Sequence, residues 1–139
     1  MALNIIDYGG ELPTRAHLLD AGADVYCPYD LIINPHETLC IGLGIGVELA
    51  PNTVGFILPR SSMAKYGVVA QAVPIDTGYQ GELHAIITNY GENSYTITKG
   101  DRIAQLVILP CILETFKMIS KEQLIKSERN TGAFASTGK

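Results

Sequence analysis

From Leu39 to Leu49 every odd position is aliphatic: Leu39, Ile41, Leu43, Ile45, Val47 and Leu49, with Cys40, Gly42, Gly44, Gly46 and Glu48 between them. A repeat of two marks an extended strand with one buried face, because successive strand side chains point to opposite sides, whereas a helix would scatter these six residues around its axis. The glycines on the second face predict close approach by a neighbouring strand or subunit. Shorter runs predict strands at Val54 to Leu58, closed by Pro59, and at Ile103 to Leu109, closed by Pro110. His84 to Asn89 and Tyr95 to Thr98 flank Tyr90-Gly91-Glu92-Asn93, which reads as a hairpin with a turn-forming loop. Helix is confined to two short stretches, Ser61 to Tyr66 and Ser120 to Ile125, the second with a capping pair in Ser120 and Gln123. Many short strands with so little helix predict an all-β sandwich or barrel.

Composition narrows the function classes. The 139 residues suit one domain, and 47% hydrophobic against 17% charged residues provide a core. A formal charge of -4 offers nucleic acid no general attraction, so a polyanion must be met by a local cationic pocket or a metal. No apolar run reaches membrane-spanning length, and Met1 to Asp7 lacks the basic and apolar regions of a secretory signal. Cys27, Cys40 and Cys111 are odd in number, far apart and without a C-x-x-C pair, which argues against a disulfide framework or a zinc site. The expectation is a soluble, cytoplasmic protein that binds neither nucleic acid nor membrane.

Two apparent motifs carry no chemistry. Gly42-x-Gly44-x-Gly46 has the spacing of a dinucleotide loop but lies inside a strand with no helix after it. His17, His36 and His84 lack mutual metal-ligand spacing. Five other segments share a pattern in which tight-turn residues stand beside a polar or charged side chain at a strand end. They are Ala21-Gly22-Ala23-Asp24, Pro59-Arg60-Ser61-Ser62, Ile75-Asp76-Thr77-Gly78-Tyr79-Gln80-Gly81-Glu82, Gly100-Asp101-Arg102-Ile103-Ala104-Gln105-Leu106, and Arg129 with Gly132 to Gly138. Singly, each has an ordinary structural explanation. Together they supply guanidinium groups, hydroxyls, an amide, and carboxylates for metal and water, the chemistry that a triphosphate requires.

In this order and spacing the five segments resemble the five motifs of the trimeric dUTPase family, from about Pro13 to the C-terminus. The resemblance implies an all-β, single-domain jelly-roll or β-clip-like distorted barrel with at most one or two short helices, assembled as a homotrimer with shared active sites. Residues 1–128 would form the barrel and residues 129–139 a flexible C-terminal arm that closes over the site. The implied activity is Mg²⁺-dependent hydrolysis of dUTP to dUMP and pyrophosphate. Asp76 would polarise the water attacking the α-phosphorus, and Tyr79 would pack under the deoxyribose. Uracil would be read by main-chain groups of the hairpin around Asp76. Arg60, Ser61 and Ser62, at a helix start, and Gln105 would contact the phosphates, whereas Asp101 and Arg102 would hold a turn. Asp24 would bind waters of the Mg²⁺ ion, which keeps much of its hydration shell. Arg129, Ser136 and Thr137 would grip the γ-phosphate while Phe134 stacks on the base. Ala133 and Ala135 depart from the family's glycines, and Ala70 to Pro74 departs from its usual approach to the aspartate. Two other readings remain: a dCTP deaminase of the same fold, which would need a glutamate where Ile86 stands, and a dUTPase-like module that binds a regulatory protein partner.

Overall fold

The computed structural model describes residues 2–129. Eleven strands follow one another in this region: β1 (Ile5–Asp7), β2 (Ala23–Tyr26), β3 (Leu31–Ile33), β4 (Thr38–Gly42), β5 (Ile45–Val47), β6 (Thr53–Leu58), β7 (Val68–Ala70), β8 (Val73–Ile75), β9 (His84–Asn89), β10 (Tyr95–Ile97) and β11 (Arg102–Pro110). A single helical turn, α1 (Ser61–Ala64), separates β6 from β7, and a 3-10 turn covers Lys121–Gln123. The strands pair antiparallel in four sheets, ordered β1-β5, β10-β3, β2-β11-β6-β8 and β4-β9-β7. They form no closed ring, so the distorted barrel is a jelly-roll of separate sheets around one core.

That core draws on nearly every strand. Ile33, Ile41, Leu43, Val47, Ile87, Ile97 and Ile103 are almost wholly buried, and Val25, Ala85 and Ala104 fill the space between them. Burying an aliphatic side chain of this size stabilises the fold by about 1.5–3 kcal/mol, offset by the entropy of ordering the chain.

The alternation from Leu39 to Leu49 predicted the buried face correctly, but the single strand is broken. It divides into β4 and β5 at Leu43 and Gly44, where Gly44 adopts φ +69°. Glycine reaches this left-handed region without the Cβ clash that other residues meet. The Gly44 backbone leaves the ladder to serve other segments: its carbonyl accepts from the amides of Tyr8 at 2.9 Å and Gly10 at 2.8 Å, and its amide donates to Glu82 Oε2 at 2.8 Å. The partner expected over the glycine face belongs to the same chain. A Cβ on Gly42 would stand 2.9 Å from the Glu82 carboxylate, and one on Gly46 would stand 2.9 Å from the Gly81 carbonyl oxygen.

The hairpin predicted from His84 to Thr98 does not form. β9 pairs with β4 and β7, while β10 pairs with β3. Asn89 explains the divergence. Fully buried at the end of β9, its side-chain amide donates to the carbonyls of Ile33 and Asn93, and its Oδ1 accepts from the Gly91 amide. These bonds turn the chain away from β9 and deliver it to β3. The two helix expectations shrink to single turns, α1 and the 3-10 turn, the latter with the Ser120–Gln123 capping box. After Pro110 the chain runs without regular structure to the 3-10 turn, leaving Ile112, Leu113, Phe116 and Met118 exposed.

Candidate functional site

The four-stranded sheet aligns Asp24, Gln105 and Leu58 in one row across β2, β11 and β6. Pro59 and Arg60 follow directly, so the second candidate segment starts where this row ends. Arg60 precedes α1 in an extended conformation and reaches back, donating from Nε to Asp24 Oδ1 at 3.2 Å and from Nη1 to the Arg102 carbonyl at 3.0 Å. Arg102 Nε lies 3.7 Å from the other carboxylate oxygen of Asp24. Asp24 therefore sits between two guanidinium groups, with only 16% of its side chain exposed. Arg102, expected to hold a turn, also helps hold Asp24 through its guanidinium. Gln105 Nε2 donates to the Pro59 carbonyl at 2.9 Å, and a Cβ on Gly22 would collide with the Gln105 amide. Ser61 and Ser62 are exposed at the start of α1. The cluster thus presents two cations, one carboxylate, one amide and two hydroxyls at one edge of the sheet.

Among the described residues no three His, Cys, Asp or Glu side chains converge as a metal cage. A carboxylate offers about four lone-pair positions, and the two arginines leave Asp24 able to accept from water. The donor set fits a hydrated divalent cation held mainly by phosphate oxygens and touched by Asp24 through water.

A second group of candidates gathers elsewhere. β8 ends at Ile75, and the turn that follows is closed by the Tyr79 amide donating to the Asp76 carbonyl at 3.0 Å. Thr77 Oγ1 donates to the Thr53 carbonyl at 2.8 Å and the Tyr79 hydroxyl to the Glu82 carbonyl at 2.8 Å, so both halves of the turn are tied down. Between β8 and β9 lies a cavity of about 230 Å³. Ile57, Val73, Pro74 and Leu83 make its apolar walls, and Asp76 and Tyr79 also line it. Pro74 stands on the edge strand of its sheet, opposite Phe56, where its missing amide hydrogen costs no ladder bond on the open side. Ile86 also lines this cavity, and an aliphatic side chain there can carry no proton.

The two groups do not meet within one chain. Ile75 pairs with Gly55 and Gln105 with Leu58, so Asp76 falls opposite Val54, four residues from the Gln105 row and two strands away. At about 3.3 Å per residue and about 4.8 Å per strand, the Cα atoms of Asp76 and Gln105 are about 16 Å apart. Arg129 is exposed at the last described position, and Phe134, Ser136 and Thr137 lie outside the described residues. Sequence reasoning missed Tyr8, which supports the turn from outside, and gave Glu82, the last residue of the third segment, no role of its own. The Gly42 and Gly46 spacing signalled that something packs there but not what.

Comparison with known proteins gives one family. The family model described as dUTPase matches residues 9–138. The deoxyuridine 5'-triphosphate nucleotidohydrolase of Clostridium tetani is 41% identical over 145 residues, covering 100% of this chain and 97% of that one. A solved structure of the Staphylococcus bacteriophage 80alpha dUTPase with dUPNHPP superposes with a TM-score of 0.91 at 28% identity, covering 99% of this chain and 98% of that one. A mutant dUTPase from phage phi11 of S. aureus, described with a coordinated structural Mg(II) ion, has a TM-score of 0.82 over 89% of this chain and all of that one. At 24% identity its likeness speaks to the fold alone.

Proposed function

The chain belongs to the dUTPase family, and from that premise we propose that it hydrolyses dUTP to dUMP and pyrophosphate. The observation that carries the reading is the cavity beside β8, apolar along its walls and lined also by Asp76 and Tyr79. Asp76 orients a water molecule and takes its proton as the water oxygen bonds to the α-phosphorus. The bond from that phosphorus to the α–β bridging oxygen breaks, and pyrophosphate leaves with the bonding electrons. Tyr79 packs under the deoxyribose, and Arg60, Ser61, Ser62 and Gln105 hold phosphate oxygens. Asp24 would accept from the waters of a bound Mg²⁺ ion, which would supply neutralisation of triphosphate charge.

The separation of about 16 Å between Asp76 and Gln105 within one chain supports a site built by more than one subunit. We assign three such sites to a homotrimer with cyclic symmetry. Exposed Ile112, Leu113, Phe116 and Met118 supply apolar surface that an assembly can cover. Residues 1–128 form the β domain and residues 129–139 the arm, with Arg129, Ser136 and Thr137 on the γ-phosphate and Phe134 on the base. Among the described residues no helix is long and apolar enough to cross a membrane. The free cysteines suit a reducing compartment, and we assign the activity to the cytoplasm.

The test is to incubate the protein with dUTP, dCTP or dTTP plus Mg²⁺ and identify the products. The expected result is dUMP and pyrophosphate from dUTP alone. Conversion of dCTP to dUTP would instead establish deamination, against which Ile86 in the cavity wall argues.

A further inference from the structure

Tyr8 follows β1 and belongs to none of the five candidate segments, yet its hydroxyl donates to the Gln80 carbonyl at 2.7 Å across 72 residues of sequence. Its ring occupies space that Gly46 leaves open: a Cβ there would stand 2.9 Å from Tyr8 Cε2 and 2.9 Å from the Gly81 carbonyl oxygen. Gly44 fixes the base of this arrangement, because its carbonyl holds the Tyr8 and Gly10 amides while its amide holds Glu82. The segment from Gln80 to Glu82 is therefore gripped at two points by groups tied to one glycine. Asp76 and Tyr79 lie immediately before that segment, and the Tyr79 hydroxyl bonds to the Glu82 carbonyl.

We propose that Tyr8 is a positioning residue for the turn that carries Asp76 and Tyr79, and that its hydroxyl sets the rate of water attack. The proposal rests on the dUTPase reading of the cavity. Tyr8 is half exposed, so water can replace its hydroxyl at the Gln80 carbonyl and folding loses little. Position is what water does not replace. Misplacing reacting groups by about 1 Å can cost about 100-fold in rate, so slight drift of the turn moves Asp76 off its water.

The deciding variant is Tyr8→Phe, which keeps the ring against Gly46 and removes only the hydroxyl. A neutral hydrogen bond is worth about 1 kcal/mol, so kcat should fall about fivefold. KM and the affinity for a non-hydrolysable dUTP analogue should stay within about twofold, because the triphosphate contacts come from a different subunit and do not hang on this turn. Gly46→Ala attacks the same contact from the other side and should lower kcat further. Should Gly46→Ala fail to fold, Tyr8→Phe still decides, since its side chain is half exposed and its shape is retained. Wild-type kcat in Tyr8→Phe would overturn the proposal, as would a lowered melting temperature with single-turnover rate unchanged. Failure of the unaltered protein to hydrolyse dUTP would instead remove the reading on which the proposal rests.

Discussion

If Asp76 and Arg60 act in one site from different subunits, two inactive variants should repair each other. The perturbation is a pair of single substitutions, Asp76→Asn on one chain and Arg60→Ala on another. Asp76→Asn removes a general base, worth 10²–10⁴-fold in typical cases. Arg60→Ala removes a charge-assisted contact to phosphate, about 1.5–3 kcal/mol or roughly 10- to 150-fold. Both variants should fold: Asp76 is exposed, and Asp24 keeps Arg102 when Arg60 is lost. In trimers assembled at random from equal amounts, each site takes residue 76 from one subunit and residue 60 from another. Half of the subunits are intact at either position, so about one quarter of the sites are wild type. The mixture should therefore recover about a quarter of wild-type turnover, and mixed assemblies freed of unmixed trimers about a third, against a parental mean of about a tenth or less. The variants would carry different affinity tags and be co-expressed, and mixed assemblies isolated through both tags before dUTP turnover is measured. Tandem-tagged assemblies that remain at the parental mean would refute the shared site and return Asp76 and Arg60 to one chain.

Three further outcomes follow. Asp76→Asn alone should lose 10²–10⁴-fold in single-turnover hydrolysis while binding a dUTP analogue normally; turnover near wild type would remove Asp76 from the chemistry. Ending the chain after Arg129 should lower turnover and leave the β-sheet circular dichroism and assembly mass unchanged, whereas full activity would dismiss the arm. Asn89→Ala should destabilise the fold by about 2–4 kcal/mol in urea melts, since three hydrogen bonds vanish and the Ile33 carbonyl stays buried without its partner. A loss under about 1 kcal/mol would mean that water fills the gap.

The buried face of residues 39–49 was legible because period two is a local property; β4 alternates as expected, whereas in β5 Gly46 on the other face is buried too. The break itself was hidden, because Gly44 turns aside for partners at Tyr8, Gly10 and Glu82 that no local pattern announces. The hairpin failed for a related reason. Tyr90 to Asn93 has turn chemistry, but Asn89 spends its side chain on Ile33, far away in the sequence, and that tertiary bond outweighs local preference. In the candidate site, motif spacing located Asp24, Arg60 and Gln105, and register then placed Asp24 and Gln105 in a single row. The ion pairs that give Asp24 two arginine neighbours depend on rotamers and were not legible.

The sheet order β2-β11-β6-β8 also bears on how the chain is made. β11 is an interior strand of its sheet and, among the described residues, the last strand to be synthesised, while β2 lies near the start of the chain. Until the ribosome has passed Pro110, β2 has no partner in this sheet and β6 is paired on one side only. Contacts between residues so distant in sequence form slowly, and unpaired strand edges invite association with other chains. A nascent or prematurely ended chain short of β11 is thus a client for chaperones and proteases. One truncated only after it can complete the sheet.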